Sequence, residues 1–555
     1  MNQKIFKNKS ISLLNVLMLT AIALFSSCAT NQQAEQEKPN IIYIMTDDHA
    51  WQALSCYGST RNETPHLDRL AEEGMRFDRA FVTNSICAPS RATLLTGKYS
   101  HVNGQLTNMH VFDGDQMTFP KLLQKAGYKT AMIGKWHLRS EPQGFDYWKV
   151  LPGQGSYYNP DFIEMGKEYR DTGYVTDLVT DDVINWIDTL DRSQPFCVLY
   201  HQKAPHRQWW PGPDHLTTYE DVTFDEPETL FDEYIGRKAA QEAMMEIDSH
   251  MFLSKDLKIK PEFVKEKDVY PDNLRTRSYD IYMSRYNRMT PEQQEMWDKA
   301  YAKRNREFQN PDLTGKALVR WKYQQYMKDY LRCIASVDDN VGRLMKYLKD
   351  NNLDENTIVV YTSDQGFYLG EHGWFDKRFM YKESLKMPLI VRYPNAIAPG
   401  STNEDFVMNL DFAPTFLDYA GVEIPSDIQG KSLKPVLEGN TPGDWRSRMY
   451  YHYYEYPGYH MVKRHYGIRT EKYKLMHFYY DIDQWELYDL EKDPHEMNNL
   501  INDPDYQSIA EDLKTQLEDL RKKYGDTDEQ AREYIEKWNE RPFVKRARET
   551  GMYLY

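Results

Sequence analysis

The sequence predicts an α/β fold, a layered sheet core followed by a smaller C-terminal α+β domain. Three observations carry this reading. Runs such as PNIIYIMTDD (39–48), TIVVYTSD (357–364) and MPLIVRY (387–393) have the continuous hydrophobicity of strands buried on both faces. They alternate with segments of helical period, as in a sheet covered by helices. After about residue 440, aromatic and polar residues alternate as they do in antiparallel strands.

Taken in order, 39–48 is a strand ending in Asp47 and Asp48. Residues 65–75 are a helix stopping near Gly74, and 119–126 a helix closed by Gly127. KTAMIGKW (129–136) is a strand, 175–190 a helix and 195–201 a strand. Residues 211–310 break the rhythm. They are polar and charged with helical patches, and read as an insertion or cap. A long helix over 316–351 leads back to the strands 357–364 and 387–393. Strands over 449–456, 466–469, 472–480 and 487–490 and an amphipathic helix over 506–524 build the last domain. The expected boundaries are 39–440 for the core domain and 441–555 for the C-terminal one.

The first 38 residues read as an address. Lys4, Lys7 and Lys9 precede an apolar run over 11–25, which is short for a membrane span. The run ends in Leu24-Phe25-Ser26-Ser27-Cys28. Small residues before a single Cys resemble a bacterial lipoprotein processing site. Residues 1–27 are then a signal peptide, Cys28 carries lipid and 28–38 is a tether. The expected location is the outer membrane, at the cell surface or its periplasmic face.

Charge and cysteine content narrow the function. The 69 Lys and Arg against 84 Asp and Glu give a net charge of −15, which argues against a nucleic-acid binder. The 42 Tyr and 12 Trp suit a carbohydrate ligand, and equally an aromatic core. Cys56, Cys87, Cys197 and Cys333 show neither a CxxC pair nor a zinc spacing.

One constellation carries chemistry. In Cys87-Ala88-Pro89-Ser90-Arg91, the Pro suits the first turn of a helix and places Cys87 at its N-terminus, where the dipole favours an anion. Arg91 adds a permanent planar cation. Asp47, Asp48, Asp364 and Gln365 offer hard oxygen donors, the set for calcium or magnesium. Lys135 and His137 end a third strand, His206 follows a fourth, and Lys377 sits in GWFDKR (373–378). Open α/β sheets bind ligands at the carboxyl ends of their strands. An acidic protein that gathers these cations in one pocket is suited to a small anionic ester.

Cys87-Ala88-Pro89-Ser90-Arg91 with Leu95-Thr96-Gly97 resembles the signature of the type I, formylglycine-dependent sulfatases. The resemblance extends to the strand-end Asp pair, the GKWH, APH and SDQG segments, and GEHGWFDK. It implies an alkaline-phosphatase-like core and a sulfuric ester hydrolase. It also implies that a formylglycine-forming enzyme oxidises Cys87 to an aldehyde. Asp47, Asp48, Asp364, Gln365 and the modified Cys87 would hold calcium, although many relatives have Asn or His where Gln365 stands. A hydroxyl of the aldehyde hydrate would attack sulfur, held by Arg91 and His137. Lys135 and Lys377 would neutralise the sulfate oxygens, and His206 would assist the leaving sugar oxygen.

The segments GFDYW (144–148), LPGQG (151–155) and WFDKR (374–378) are most similar to those of bacterial enzymes acting on N-acetylglucosamine-6-sulfate. That implies 6-O-desulfation of heparan sulfate or mucin-type glycans. Asp376 and Arg378 are the candidate sugar contacts. Of His452, His460 and His465, the reading favours His465. Trp209 and Trp210 are candidates to stack on sugar or to pack the insertion. The alternatives are a sulfatase of another sugar position, a phosphate or phosphonate ester hydrolase, and a lipoprotein that binds sulfated glycans without cleaving them.

Overall fold

The structure, a computed structural model, describes residues 38–264 and 272–551. The leader 1–27, Cys28 and the tether to residue 37 lie outside them. The core is a ten-stranded mixed sheet. Its five central strands run parallel in the order Thr357–Ser363, Asn40–Thr46, Phe196–His201, Lys129–Lys135, Tyr147–Leu151. Leu389–Arg392 joins antiparallel to Thr357–Ser363, followed by Met75–Phe77 and Ser401–Asn403. The far edge is the hairpin Asp161–Glu164 and Lys167–Arg170, which was not foreseen because its residues are mostly polar.

The central strands are apolar throughout because both faces are covered. Strand pleating sends Ile42 and Ile44 to one side, into a core shared with Val179 of helix Val175–Asp188 and Ile334 of helix Gly315–Asp350. Ile41, Tyr43 and Met45 point to the other side. There they pack with Ala92 of helix Cys87–Thr96, Leu123 of Phe119–Lys125 and Phe416 of Phe412–Tyr419.

The segment 211–310 carries helices Asp272–Tyr286 and Pro291–Glu307, the second opened by a reciprocal cap between Thr290 and Gln293. It reads as polar because some of its buried residues are charged and paired. Arg304 and Lys258 reach Asp329 of the long helix at 2.6 and 2.8 Å. Trp209 serves packing here, while Trp210 packs and also lines the candidate active-site cleft. Trp209 lies buried against Tyr326, and Trp210 stacks on Trp297 at 4.3 Å between ring centres.

The C-terminal sheet runs Arg448–Tyr453, His465–Thr470, Tyr473–Phe478, Gln484–Asp489, each strand antiparallel to the next. Helix Gln507–Tyr524 covers it through Leu513, Leu517 and Leu520. Helices Asp528–Asn539 and Pro542–Thr550 follow. Among the described residues, no helix is long and apolar enough to cross a membrane.

Candidate active site

The parallel register sets the site. Thr46 pairs with Ser363, so the acids that follow each strand leave the sheet side by side. Asp48 N–H donates to Asp364 Oδ1 (3.1 Å). One strand over, Lys135 ends its strand after Gly134, whose φ is +105°. A Cβ at Gly134 would meet His201 O at 1.9 Å, so only glycine lets these strands approach while the chain turns Lys135 toward the acids.

Helix Cys87–Thr96 points its first residue at this edge. Ser90 Oγ donates to the Asp364 carbonyl (2.5 Å), and Asn409 donates to Ser90 Oγ (3.0 Å), which pins the first turn to the strand end. Cys87 Sγ reaches Asp47 Oδ1 at 3.4 Å. Arg91 lies deepest. It pairs with Asp364 (3.0 Å), approaches Asp47 (3.8 Å) and donates to the Lys135 carbonyl (2.5 Å). Lys135 pairs with Asp47, and Lys377 Nζ donates to Asp48 Oδ2 (2.7 Å). His206 Nε2 stands 3.7 Å from the same oxygen. Its Nδ1 faces the Arg207 carbonyl (2.6 Å), and a carbonyl only accepts. The Nδ1 proton is thereby fixed and Nε2 faces the acids. His137 is held by Gln154 (3.2 Å). Thus Asp47, Asp48, Cys87, Arg91, Lys135, His137, His206, Asp364, Gln365 and Lys377 converge. Asp48, His137, Asp376 and Arg378 all have φ between 58° and 96°, backbone strain of the kind found where function demands it.

Electrostatics match the crowding. Burial, with repulsion from Asp47 and Asp376 against the pull of Lys377, pushes Asp48 up to about 6. Burial and repulsion from Asp47 push Asp364 up to about 7. Asp47 is also buried, yet Lys135, His206 and Arg91 hold it well below the usual carboxylate range. Burial, and then Lys135, hold His137 well below an ordinary histidine. Burial also pushes the Cys87 thiol up, against Lys135 and Lys377, so the thiol itself is a poor nucleophile here.

These residues fit a divalent cation. One oxygen each from Asp47, Asp48 and Asp364 lies within 4.8 Å of the others. Gln365 Nε2 donates to Asp48 (2.5 Å) and Asp364 (2.7 Å), while its buried Oε1 has no partner. Turning that amide over would add a fourth oxygen to the acids, an arrangement that only a cation among them would favour.

A second network lies beside the first. Asp376 pairs with Arg378 and with His460 Nε2 (3.1 Å). His460 Nε2 also lies 3.3 Å from Arg207, whose guanidinium is clamped by Asp256 (2.6 and 2.8 Å). The preference for His465 is therefore corrected. His465 Nε2 accepts the Met380 N–H (3.1 Å), its Nδ1 faces the Lys463 carbonyl (2.8 Å), and its ring packs on Phe379 and Phe478. It is a core residue of the C-terminal sheet. His452 is likewise buried, against Asp526 (2.6 Å). His460 was named as a candidate but not preferred, and Arg207 was missed. The only hint of Arg207 was its place directly after His206.

Cys87, His137, His206, Asp376, Lys377 and Arg378 line one cleft of about 880 Å³. The arrangement can hold a divalent cation, neutralise a bound anion and set the Nε2 of an imidazole beside it. A model of the sulfatase family matches residues 39–422, and one described as the C-terminal part of N-sulphoglucosamine sulphohydrolase matches 370–523. The chain is 55% identical to an N-acetylglucosamine-6-O-sulfatase of Bacteroides thetaiotaomicron, over 94% of this chain and 92% of that one. It is 27% identical to the human N-acetylglucosamine-6-sulfatase, over 75% of this chain and 67% of that one. A solved structure in complex with its substrate D-glucosamine-2-N,6-O-disulfate superposes with a TM-score of 0.84 at 55% identity. It covers 89% of this chain and 99% of its own.

Proposed function

The chain belongs to the sulfatase family, with its alkaline-phosphatase-like fold, and from that premise we propose that it removes the 6-O-sulfate of N-acetylglucosamine residues in heparan sulfate or mucin-type glycans. It is a sulfatase, a sulfuric ester hydrolase. The observation that carries the proposal is the meeting of Cys87, three buried carboxylates and Lys135, His137, His206 and Lys377 at one cleft. The 55% likeness to an N-acetylglucosamine-6-O-sulfatase supports the choice of sugar and position.

In this reading a maturing enzyme oxidises Cys87 to formylglycine, whose hydrate supplies the nucleophilic hydroxyl. Asp47, Asp48, Asp364, Gln365 and residue 87 would hold a calcium ion, which would supply Lewis-acid stabilisation of negative charge beside residue 87. The remaining work falls to the side chains. Arg91 bridges Asp47 and Asp364 and fixes the carboxylates. His137, kept neutral by burial, offers a hydrogen bond beside residue 87. Lys135 and Lys377 are placed to neutralise the sulfate oxygens as charge builds on them. His206, with its Nδ1 proton held by the Arg207 carbonyl, presents Nε2 to the leaving sugar oxygen. Burial holds it well below an ordinary histidine, so it protonates that oxygen only as an imidazolium that has taken a second proton at Nε2, where Asp48 stands 3.7 Å away. Asp376 and Arg378 meet the sugar hydroxyls.

We further propose that lipid on Cys28 anchors the enzyme at the outer membrane. Palmitate labelling lost in Cys28→Ala is the expected result, and labelling that persists refutes it. The function is tested by sulfate release from N-acetylglucosamine-6-sulfate, its 3-sulfate isomer and galactose-6-sulfate. Release from the first alone is expected. Preference for either of the others overturns the choice of substrate.

A further inference from the structure

Beyond the residues described, the cleft wall holds cations that have no acid to answer them. Lys203 lies three residues before His206, is 3% exposed and lines the cleft. Among the described residues its ammonium makes no hydrogen bond or ion pair. It rests on the face of Tyr157, 4.6 Å from the ring centre. Arg285, from helix Asp272–Tyr286 of the insertion, also lines the cleft and donates to Ser156 Oγ (2.7 Å), with no carboxylate in pairing distance among the described residues. Lys255 donates to Tyr459 OH (2.7 Å) and likewise pairs with no acid there. Most other buried cations nearby are paired. Arg207 has Asp256, Arg378 has Asp376, and Lys377 has Asp48.

Ser156 and Tyr157 belong to one loop, 152–157, and so place Arg285 and Lys203 next to each other. Two further contacts tie that loop to the reacting centre. Gln154 holds His137 (3.2 Å), and Tyr157 OH donates to the His206 carbonyl (2.7 Å). Burying an ammonium without an anion is costly, and a protein with a net charge of −15 has no shortage of carboxylates to supply. The unanswered cations thus mark a place for an anion that arrives with the ligand.

We propose that Lys203 and Arg285, with Lys255 at the margin, form a second anion subsite that recognises a negatively charged substituent of the substrate other than the sulfate being cleaved. The inference rests on the 6-O-desulfation reading and deepens it, since the preferred substrate then carries two anionic groups. The charge can come from a sulfamate on the same glucosamine or from the carboxylate of a neighbouring uronate. Both offer oxygens to a planar guanidinium and a point charge. Burial and the nearby Lys135 push Lys203 down to about 7, and a bound anion would restore its charge.

The test compares kcat/KM for three substrates in the wild-type enzyme and in Lys203→Gln and Arg285→Gln, each matured in the same way. The substrates are N-acetylglucosamine-6-sulfate, glucosamine-2-N,6-O-disulfate, and a disaccharide of N-acetylglucosamine-6-sulfate followed by a uronate. In wild type, one of the doubly charged substrates should exceed the singly charged one. Arg285→Gln should shrink that ratio roughly tenfold or more, the loss expected for one charge-assisted hydrogen bond, while leaving N-acetylglucosamine-6-sulfate within about threefold of wild type. A ratio lost only for the disulfate places the subsite on the sugar nitrogen, and one lost only for the disaccharide places it on the uronate. Equal losses on all three substrates, or an unchanged ratio in both variants, overturn the proposal. If the wild-type enzyme cleaves none of the three, the 6-O-desulfation reading fails instead.

Discussion

Lys377→Met separates catalysis from folding at this site. Lys377 is 2% exposed, its ammonium donates to Asp48 Oδ2 at 2.7 Å, and Asp48 lies among Asp47, Asp364 and Asp376. Methionine keeps the length of the side chain and removes the charge. Two losses follow, each with its own assay. Without a divalent cation, Asp48 becomes a buried carboxylate left with the Gln365 amide, an imidazole 3.7 Å away and the more remote charge of Lys135. Breaking such a pair costs about 3–5 kcal/mol, so the chelated variant should melt well below chelated wild type. With calcium added, a cation bound among the carboxylates would take over the neutralisation, and the two melting temperatures should approach each other. Activity should not recover with it. Removing one preorganised donor from a developing negative charge costs roughly 10²–10³ in kcat, about 3–4 kcal/mol. Sulfate release measured in calcium, below the melting temperature of both proteins, isolates this second loss. A variant that keeps kcat within threefold of wild type there would refute the assignment of Lys377 to the sulfate. A variant whose activity follows its folded fraction alone would do the same.

Asp376→Asn should raise KM roughly tenfold or more with a smaller change in kcat if, as proposed, Asp376 and its partner Arg378, which line the cleft, meet the sugar rather than the sulfur. Steady-state kinetics on N-acetylglucosamine-6-sulfate decide this, and a fall confined to kcat contradicts it. His465→Phe should leave KM unchanged and lower stability by about 1–3 kcal/mol, since the Met380 N–H and Lys463 carbonyl lose their partner; denaturant melts and KM together check it. Glu486 gives a pH prediction away from the site. Burial, against hydrogen bonds from Tyr381 and Tyr488, pushes this carboxyl up to about 7 from 4.5. A raised carboxyl binds more protons when folded, so its ionisation lowers stability as pH rises from about 4.5 to about 7, by about 3 kcal/mol in all. Glu486→Gln should therefore gain stability over wild type at pH 8 and little at pH 4.5, and an equal effect at both pH values would contradict it.

Much of the site was legible because its signals are local. The acids at positions 47, 48 and 364 stand at the ends of apolar runs, and a strand buried on both faces has no other reason to finish in charge. Cys87 and Arg91 are one helical turn apart, so a short motif places both. In the second network Asp376 and Arg378 were legible beside Lys377, but the choice of histidine and the part of Arg207 were not, because they depend on long-range pairing. His460 and His465 lie in one aromatic segment and look equivalent in sequence. The pairing of His465 with Phe478 turns its ring into the C-terminal sheet, while His460, with φ of 71° in a turn, reaches Asp376. Arg207 and Lys203 were hidden similarly. Their surroundings come from the insertion and from loop 152–157, far away in the chain, and nothing in their own neighbourhood announces which cations will find an acid. The insertion itself read as a polar cap. Its charges instead form buried pairs with the long helix, and its Arg285 enters the cleft wall.

The central claim is that oxidised Cys87 performs 6-O-desulfation. The most direct measurement follows sulfate released from N-acetylglucosamine-6-sulfate across preparations that differ in aldehyde content at position 87, read by peptide mass. The account predicts a rate proportional to that content and no release by Cys87→Ala. Release by Cys87→Ala, or a rate indifferent to the aldehyde, would contradict it.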